Sequence, residues 1–398
     1  MTSMLQRIVT DLQGVRLAGR AGHWDLSVAD GRIAGLRPSE RNGGGLITPL
    51  FADPHVHLDK TYTLQRMPRR AGSLHDAIEM MAQDVPNWTP EDIRQRAQLA
   101  LSRAFAHGTG RMRSHIDWHD DRPPAAWQVL VDLAQEWQGR IKLELASLTP
   151  LDAFATHGEA IARRIAASRG VLGAFVYRND NLAEGVARVF DLAERFDLPL
   201  DFHVDEGTDP LAQGFDAILT ETERRGLSGR VLCGHACALS VRPADEVGQL
   251  LDRAAAAGLG LVALPACNAW LQDATGVRTP RLRGIAPIRE ARAAGMQVMF
   301  GSDNVCDGFF PHGDYDPADA WRLAVLLGHL EPEDWLDAVT TLPAGWSGGA
   351  APLTEGAAAD FIHFAVNNAD ELASRPTAGR TVWRDGNPIA PLNGAIPC

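Results

Sequence analysis

Residues 53–60 read DPHVHLDK, with two histidines two apart directly after an apolar run that ends at Phe51. On an extended strand, residues i and i+2 project to the same side. His55 and His57 therefore present two imidazoles in one direction, either as a ligand pair or as two ordinary histidines at a strand end. Three further residues bear on that choice. His203 lies in DFHVDEG, His235 in GHACALS and Asp303 in GSDN. Imidazole and carboxylate donors suit zinc or ferrous iron. Taken together, His55, His57, His203 and Asp303 carry a single negative charge, which leaves a divalent ion at net +1 and suited to lowering the pKa of water. Read singly, His203 is an ordinary hydrogen-bonded histidine and Asp303 a helix N-cap; their joint placement favours a metal site. Glu206, three residues after His203, is placed to take a proton from water and return it to a leaving group. Asp205 is nearer in sequence but shares the side of His203 on an extended strand. His235 is placed to polarise a substrate carbonyl or assist the water.

These residues need a scaffold that gathers distant strand ends. From about residue 52 to 345, short apolar runs alternate with helical stretches. Eight runs can be counted: FADPHVHLD, GRMRSHIDWHD, IKLELASLTP, VLGAFVYRND, LPLDFHVDEG, GRVLCGHACAL, GLGLVALPACN and GMQVMFGSDN. Between them lie helical patterns, among them one over roughly 90–107 ending at His107-Gly108 and an amphipathic one around 125–138. Strands alternating with helices indicate a parallel sheet, and eight is the number that closes a (β/α)8 TIM barrel. Each run is apolar first and polar at its C-terminal end, where such barrels place their active sites. Residues 1–50 and the C-terminal segment read instead as short strands with Asp-Gly and Gly-Gly hairpin signals. The expected organisation is a barrel over 51–345 and a small β-sandwich domain built from 1–50 and 346–398.

The chain has 398 residues, 45% hydrophobic and 22% charged, as expected of a globular protein. A net charge of −12 argues against nucleic acid or an anionic membrane as partner. No apolar run approaches about 18 residues, and MTSMLQRIVTDLQG lacks the apolar stretch of a signal peptide. Five cysteines (Cys233, Cys237, Cys267, Cys306 and Cys398) show no repeated spacing, which does not suggest a disulfide framework and favours a reducing, cytoplasmic setting. Cys233 and Cys237 flank His235 but lack the second pair that a structural zinc site needs.

The order of these motifs resembles the amidohydrolase superfamily, and within it the cytosine deaminase branch, with its PHxHLD first strand, HxDE fifth strand, SHxxAxxS-like sixth strand and GxDxVxDxxxP eighth strand. Here the corresponding segments are DPHVHLDK, DFHVDEG, GHACALS and GSDNVCDGFFP. The resemblance implies one divalent metal ion, Zn or Fe, on His55, His57, His203 and Asp303, with Glu206 as proton shuttle and His235 beside the water. Binuclear relatives use a carboxylated lysine at the end of the fourth strand. Of the two lysines here, Lys142 begins the third run and Lys60 follows the first, so a mononuclear site is expected. Lys60 is expected to pair with a carboxylate or face the substrate.

The sequence also departs from cytosine deaminases. Thr149 stands where they read the pyrimidine with a glutamine, Asn304 replaces an aspartate, and Phe309 and Phe310 replace a tryptophan. Asn304 both donates and accepts, whereas an ionised Asp only accepts, and changed reading groups change specificity. The implied activity is cytosine deaminase-like hydrolytic deamination of an amino-substituted N-heterocycle, with the changed reading groups pointing to a neighbouring ring at least as much as to cytosine itself. Thr149, Asn304, Phe309 and Trp118, with His119, are the expected substrate contacts. The alternative is cleavage of a cyclic amide or N-alkyl substituent by the same centre. The expected partners are a small-molecule substrate and further copies of the chain in a homo-oligomer.

Overall fold

The computed structural model describes residues 10–275, 277–349, 352–392, 394 and 398. The expectation of strand at residues 7–9 and the reading of the extreme N-terminus lie outside them.

The chain opens with β1 (Thr10–Leu17), β2 (His23–Ala29), β3 (Arg32–Ser39) and β4 (Leu46–Pro49). Asp30 and Gly31 join β2 to β3, both at positive φ (54° and 77°), as a two-residue I′ hairpin requires. One residue after β4, the chain enters the alternating region. Its strands are β5 (Phe51–Val56), β6 (Thr109–Asp117), β7 (Lys142–Pro150), β8 (Leu172–Val176), β9 (Leu200–Val204), β10 (Val231–His235), β11 (Gly260–Ala263) and β12 (Gln297–Phe300). Between and after them run α1 (Leu74–Asp84), α2 (Pro90–His107), α3 (Ala125–Glu136), α4 (Gly158–Ala167), α5 (Leu182–Phe196), α6 (Gly214–Arg225), α7 (Ala244–Ala256), α8 (Pro265–Leu271), α9 (Ile288–Ala293), α10 (Pro317–Gly328) and α11 (Thr341–Trp346). The last elements are β13 (Phe361–Phe364), α12 (Ala369–Ser374), β14 (Arg380–Arg384) and β15 (Asn387–Pro388).

The eight strands β5 to β12 pair in chain order, all in parallel. The ring is closed by a parallel bridge from Val56 to Asp303, where Asp303 N donates to His55 O at 2.8 Å. The fold is a (β/α)8 barrel. Beside it lies a seven-stranded sheet in the order β15-β14-β13-β4-β1-β2-β3, to which segments before and after the barrel both contribute strands.

Local sequence explains the helices. Thr89 caps α2 by accepting from Asp92 N, Pro90 opens it, and Gly108 ends it at φ 98°, in the left-handed region that glycine tolerates. In α5, Val186, Val189, Phe190 and Ala193 are buried, at the i, i+3, i+4, i+7 spacing of one helix face. That face meets the outside of the barrel, where Phe190 stacks on Phe202 with centroids 5.8 Å apart. Because side chains alternate along a strand, Phe202 facing the helix sends His203 to the interior.

Two features differ from expectation. Cys306, in the segment after β12, is joined to Cys398 in a disulfide, while Cys233, Cys237 and Cys267 are free and buried. The isolated spacing gave no sign of that pair, because residues 92 apart in sequence meet only in the folded chain. Helix α1, inserted between β5 and α2, is the other. No helix of the described residues is long and apolar enough to cross a membrane.

Candidate active site

The polar C-terminal ends of the strands converge. His55 Nε2 lies 2.9 Å from His203 Nε2, which is 3.3 Å from His57 Nε2. Asp303 Oδ1 is 3.2 Å from His57 Nε2 and 3.7 Å from His55 Nε2. All four side chains are almost fully buried. Neither carboxylate oxygen of Asp303 has a hydrogen-bond partner, and nor does Nδ1 of His55, His57 or His203. Burial first, and the neighbouring imidazoles second, hold His55 and His203 well below the ordinary histidine pKa; burial, followed by Lys60, does the same to His57. A neutral imidazole keeps one N–H and one bare nitrogen with a lone pair, so each of the three rings has a nitrogen able to face a cation, as has the unpartnered Asp303 carboxylate an oxygen. Donors around a four-coordinate ion at 2.0–2.1 Å are roughly 3.3–3.4 Å apart, which is the scale of the distances found. The cluster is suited to a metal ion.

The backbone is shaped to bring these groups together. Asp205, His235, Ala236 and Asp303 all have positive φ (48°, 68°, 50° and 62°), a conformation uncommon for non-glycine residues and concentrated at functional sites. Two glycines give His55 room. A Cβ on Gly234 would come within 3.0 Å of His55 Cε1, and one on Gly301 within 3.0 Å of His55 Cβ and O. The glycines of GHAC and GSDN are thus explained by close approach to this one residue, the first to its ring and the second to its Cβ and backbone oxygen.

A cavity of about 330 Å³ opens over the cluster, within the range of small-molecule sites. Its walls include His57, His203, Asp303, Glu206, His235, Asn304, Phe309, Lys60, Asp117 and His119. Glu206 Oε1 is 3.4 Å from His235 Nδ1. Burial, then the charge of Asp303, pushes Glu206 well above the usual carboxylate range. Asp205 does not compete with it: its two oxygens accept from Gly214 N at 3.0 Å and Phe215 N at 2.9 Å, fixing the start of α6. Asn268, at the start of the helix after β11, donates Nδ2–H to His235 Nδ1 at 3.0 Å. The neutral imidazole then carries its proton on Nε2, which has no protein partner. Burial lowers the His235 pKa to about 4.

Lys60 pairs with a carboxylate, the first of the two alternatives expected of it, and borders the cavity. Its ammonium donates to Asp117 Oδ1 at 2.6 Å, lies 5.5 Å from the centre of the Phe309 ring, and lines the cavity. Burial opposes its charge, yet Asp117 and Asp59 outweigh that and raise its pKa. Asn304 lines the cavity and donates to Asp307 Oδ2 at 2.7 Å. Asp307 also accepts from Phe309 N at 2.9 Å, so one buried carboxylate sets both Asn304 and Phe309.

Two of the expected contacts stand apart from this cavity. Thr149 is buried but does not line the cavity; its neighbours Leu148 and Pro150 do. Strand alternation is the reason, since Glu144 on the same side as Leu148 and Pro150 meets the interior Arg113 at 2.7 Å. Trp118 is also absent from the wall. It lies against Trp127 at 5.0 Å and donates Nε1–H to Asp120 O at 2.9 Å, whereas the adjacent His119 reaches the cavity.

The motifs also left a supporting layer unread. His115 lies 4.0 Å from His55, ring centre to ring centre, and its Nε2 is 3.3 Å from Asp201 Oδ2, which accepts from Arg113 Nη1 at 2.7 Å. His115, Arg113 and Asp201 share strand parity with the residues above them, and that parity was the available signal. Cys233 and Cys237 take part in no metal-like cluster among the described residues.

Barrel, strand-end donors and cavity together form a site suited to a metal ion beside a small-molecule cavity. The model of the amidohydrolase family matches residues 91–390, and the chain belongs to that family. It is an enzyme acting on C–N bonds, as its relatives are. It is 34% identical over 384 residues to a pterin deaminase of Rhizobium rhizogenes (strain K84), covering 92% of this chain and 87% of that one. A structure of 5-methylcytosine deaminase from Klebsiella pneumoniae liganded with 5-fluorocytosine superposes with a TM-score of 0.85 at 25% identity, covering 97% of this chain and 98% of that one. N-isopropylammelide isopropylaminohydrolase from Burkholderia multivorans gives 0.78 at 26% identity, covering 96% and 98%.

Proposed function

We propose that the chain hydrolytically deaminates an amino-substituted N-heterocycle, with His55, His57, His203 and Asp303 holding one zinc or iron ion and residues 51–345 forming the catalytic unit beside a domain of 1–50 and 346–398. The observation that carries this reading is the placement of Glu206 and His235 on the wall of the same cavity as the buried histidine–aspartate cluster. A divalent ion, when bound there, supplies the Lewis acidity that makes water nucleophilic near neutrality.

The remaining chemistry belongs to the side chains. Glu206 accepts the proton that the attacking water gives up and passes it to the ring nitrogen beside the C–NH2 carbon. The water oxygen bonds to that carbon, its second proton goes to the amino nitrogen, and ammonia leaves as the carbonyl forms. His235, with its Nε2–H directed by Asn268, donates to the oxygen as charge develops there. Lys60, Asp117 and Asn304 offer donors and acceptors for the ring's polar atoms, and Phe309 supplies an aromatic surface against it. Pterin-type rings are the first substrates to test, because of the 34% identity to a pterin deaminase.

Glu206→Gln is expected to fold and retain one equivalent of metal while kcat falls by at least about 10²-fold. Wild-type-like ammonia release from this variant would remove Glu206 from the mechanism. Removal of an N-alkyl group is the second reading, favoured by the 26% identity to N-isopropylammelide isopropylaminohydrolase. The product separates them, since deamination releases ammonia and the alternative releases an alkylamine.

A further inference from the structure

One wall of the cavity does not fit a bare polar ring. Leu74, Ile78 and Met81 of α1, with Val85 just beyond it, line the cavity together with Trp88. They fall at i, i+4, i+7 and i+11, a single helical stripe. Such stripes ordinarily face a protein core. Met81 is buried and Leu74 packs against a neighbouring cluster, but Ile78 is 39% exposed and Val85 51% exposed, so at these two positions the stripe borders open cavity instead of packed side chains. The helix is meanwhile held from its other side. Ala77 is buried in a cluster with Cys267 and Leu271, Ser73 caps the N-terminus by accepting from Asp76 N, and Asp84 accepts from Asn87 and Trp88 at the C-terminal end. The exposed apolar face is therefore fixed in place, and an exposed apolar patch inside a small-molecule cavity marks what the ligand covers. Charge points the same way. Among the cavity-lining residues, Lys60 is the sole Lys or Arg, and Asp117 already engages it. Asp117, Glu206 and Asp303 face the same space, so an anionic substituent meets no free cationic side chain.

We propose that the substrate is a neutral amino-heterocycle bearing an apolar substituent on an edge other than the one that carries the amino group, and that the Leu74–Ile78–Met81–Val85 stripe seats this substituent. This rests on the deaminase reading above and adds the chemical class of the ring's decoration. The test compares three pterins (unsubstituted, 6-isobutyl and 6-carboxylate) and the matching 5-substituted cytosines on the metal-loaded enzyme, with kcat/KM read from ammonia release. The alkyl ring is expected to exceed its parent by about tenfold, the scale of apolar pocket discrimination, and the carboxylate to fall below the parent. In Ile78→Ser and Val85→Ser, whose side chains are partly exposed and whose folding is therefore spared, the alkyl-to-parent ratio should drop towards one. A wild-type ratio near one, or a ratio unmoved by both substitutions, would overturn the proposal. If no ring yields ammonia, the deaminase reading fails separately. Tryptophan fluorescence titration of metal-loaded Glu206→Gln then decides the stripe alone: tighter binding of alkyl than parent rings upholds it, and equal or absent binding of alkyl rings overturns it.

Discussion

Lys60 and Asp117 show how much a residue's meaning depends on its partner. A lysine buried to 2% exposure is costly unless paired, and Asp117 pairs it at 2.6 Å while Asp59 Oδ2 accepts from Asp117 N at 3.0 Å. Lys60→Met would leave Asp117 and Asp59 without their cation. The expected result is a loss of about 3–5 kcal/mol in stability, measured by urea unfolding, together with a raised KM in the fraction that folds. Lys60→Met with wild-type stability and KM would show the pair to be ornamental. Asp205 shows the same dependence on a different partner. It was the closer rival to Glu206 in sequence, but its oxygens are spent on two backbone N–H groups. Asp205→Ala should cost about 1–3 kcal/mol through those orphaned donors, while the metal content of the folded protein stays unchanged.

At the scale of elements, the site depends on where strands stop and how closely they pass. β10 and the segment after β12 approach His55 so closely at Gly234 and Gly301 that a Cβ at either would stand 3.0 Å from its atoms, tight enough that His55 must shift. Gly234→Ala and Gly301→Ala should therefore push the His55 ring out of register with His57 and His203 while the barrel persists. Metal affinity is expected to fall by about 10–100-fold, the range seen when support of a ligand is lost, with an unchanged far-UV circular dichroism spectrum. Unaltered affinity would mean that the strands can separate freely here. The Val56–Asp303 bridge makes the point structurally. The hydrogen bond that closes the barrel, Asp303 N to His55 O, joins two of the four residues of the cluster, so the contact that closes the barrel also holds these two together.

For the molecule as a whole, a metal held only in the folded state adds its binding energy to stability. At free metal 100-fold above its dissociation constant the gain is about 2.7 kcal/mol. Dialysis against a chelator should lower Tm and abolish ammonia release, and added zinc or ferrous iron should restore both. Metal analysis of protein purified without added metal should give about one equivalent. A second tightly held ion would contradict the mononuclear reading and direct attention to His115 and Asp201, which with His55 form the nearest further donor set.

Much of this was legible in the chain itself, because local rules govern it. Strand period, apolar-to-polar runs and Gly-terminated helices such as Pro90–His107 are properties of consecutive residues, and they specify a barrel whose polar strand ends face one way. His55, His57, His203, Asp303 and Glu206 could be named because each sits at such an end. What the tertiary structure decided was every relation between distant segments. Leu148 and Pro150 line the cavity and Thr149 does not, since interior parity on β7 is set by its neighbours. Trp118 packs against Trp127, and Cys306 meets Cys398 across the fold. The stripe of α1 looks in sequence like any core-facing helix, and only its position over the cavity leaves Ile78 and Val85 uncovered. Spacing along a strand or helix is dictated by backbone geometry, whereas what fills the space beyond a side chain depends on residues hundreds of positions away.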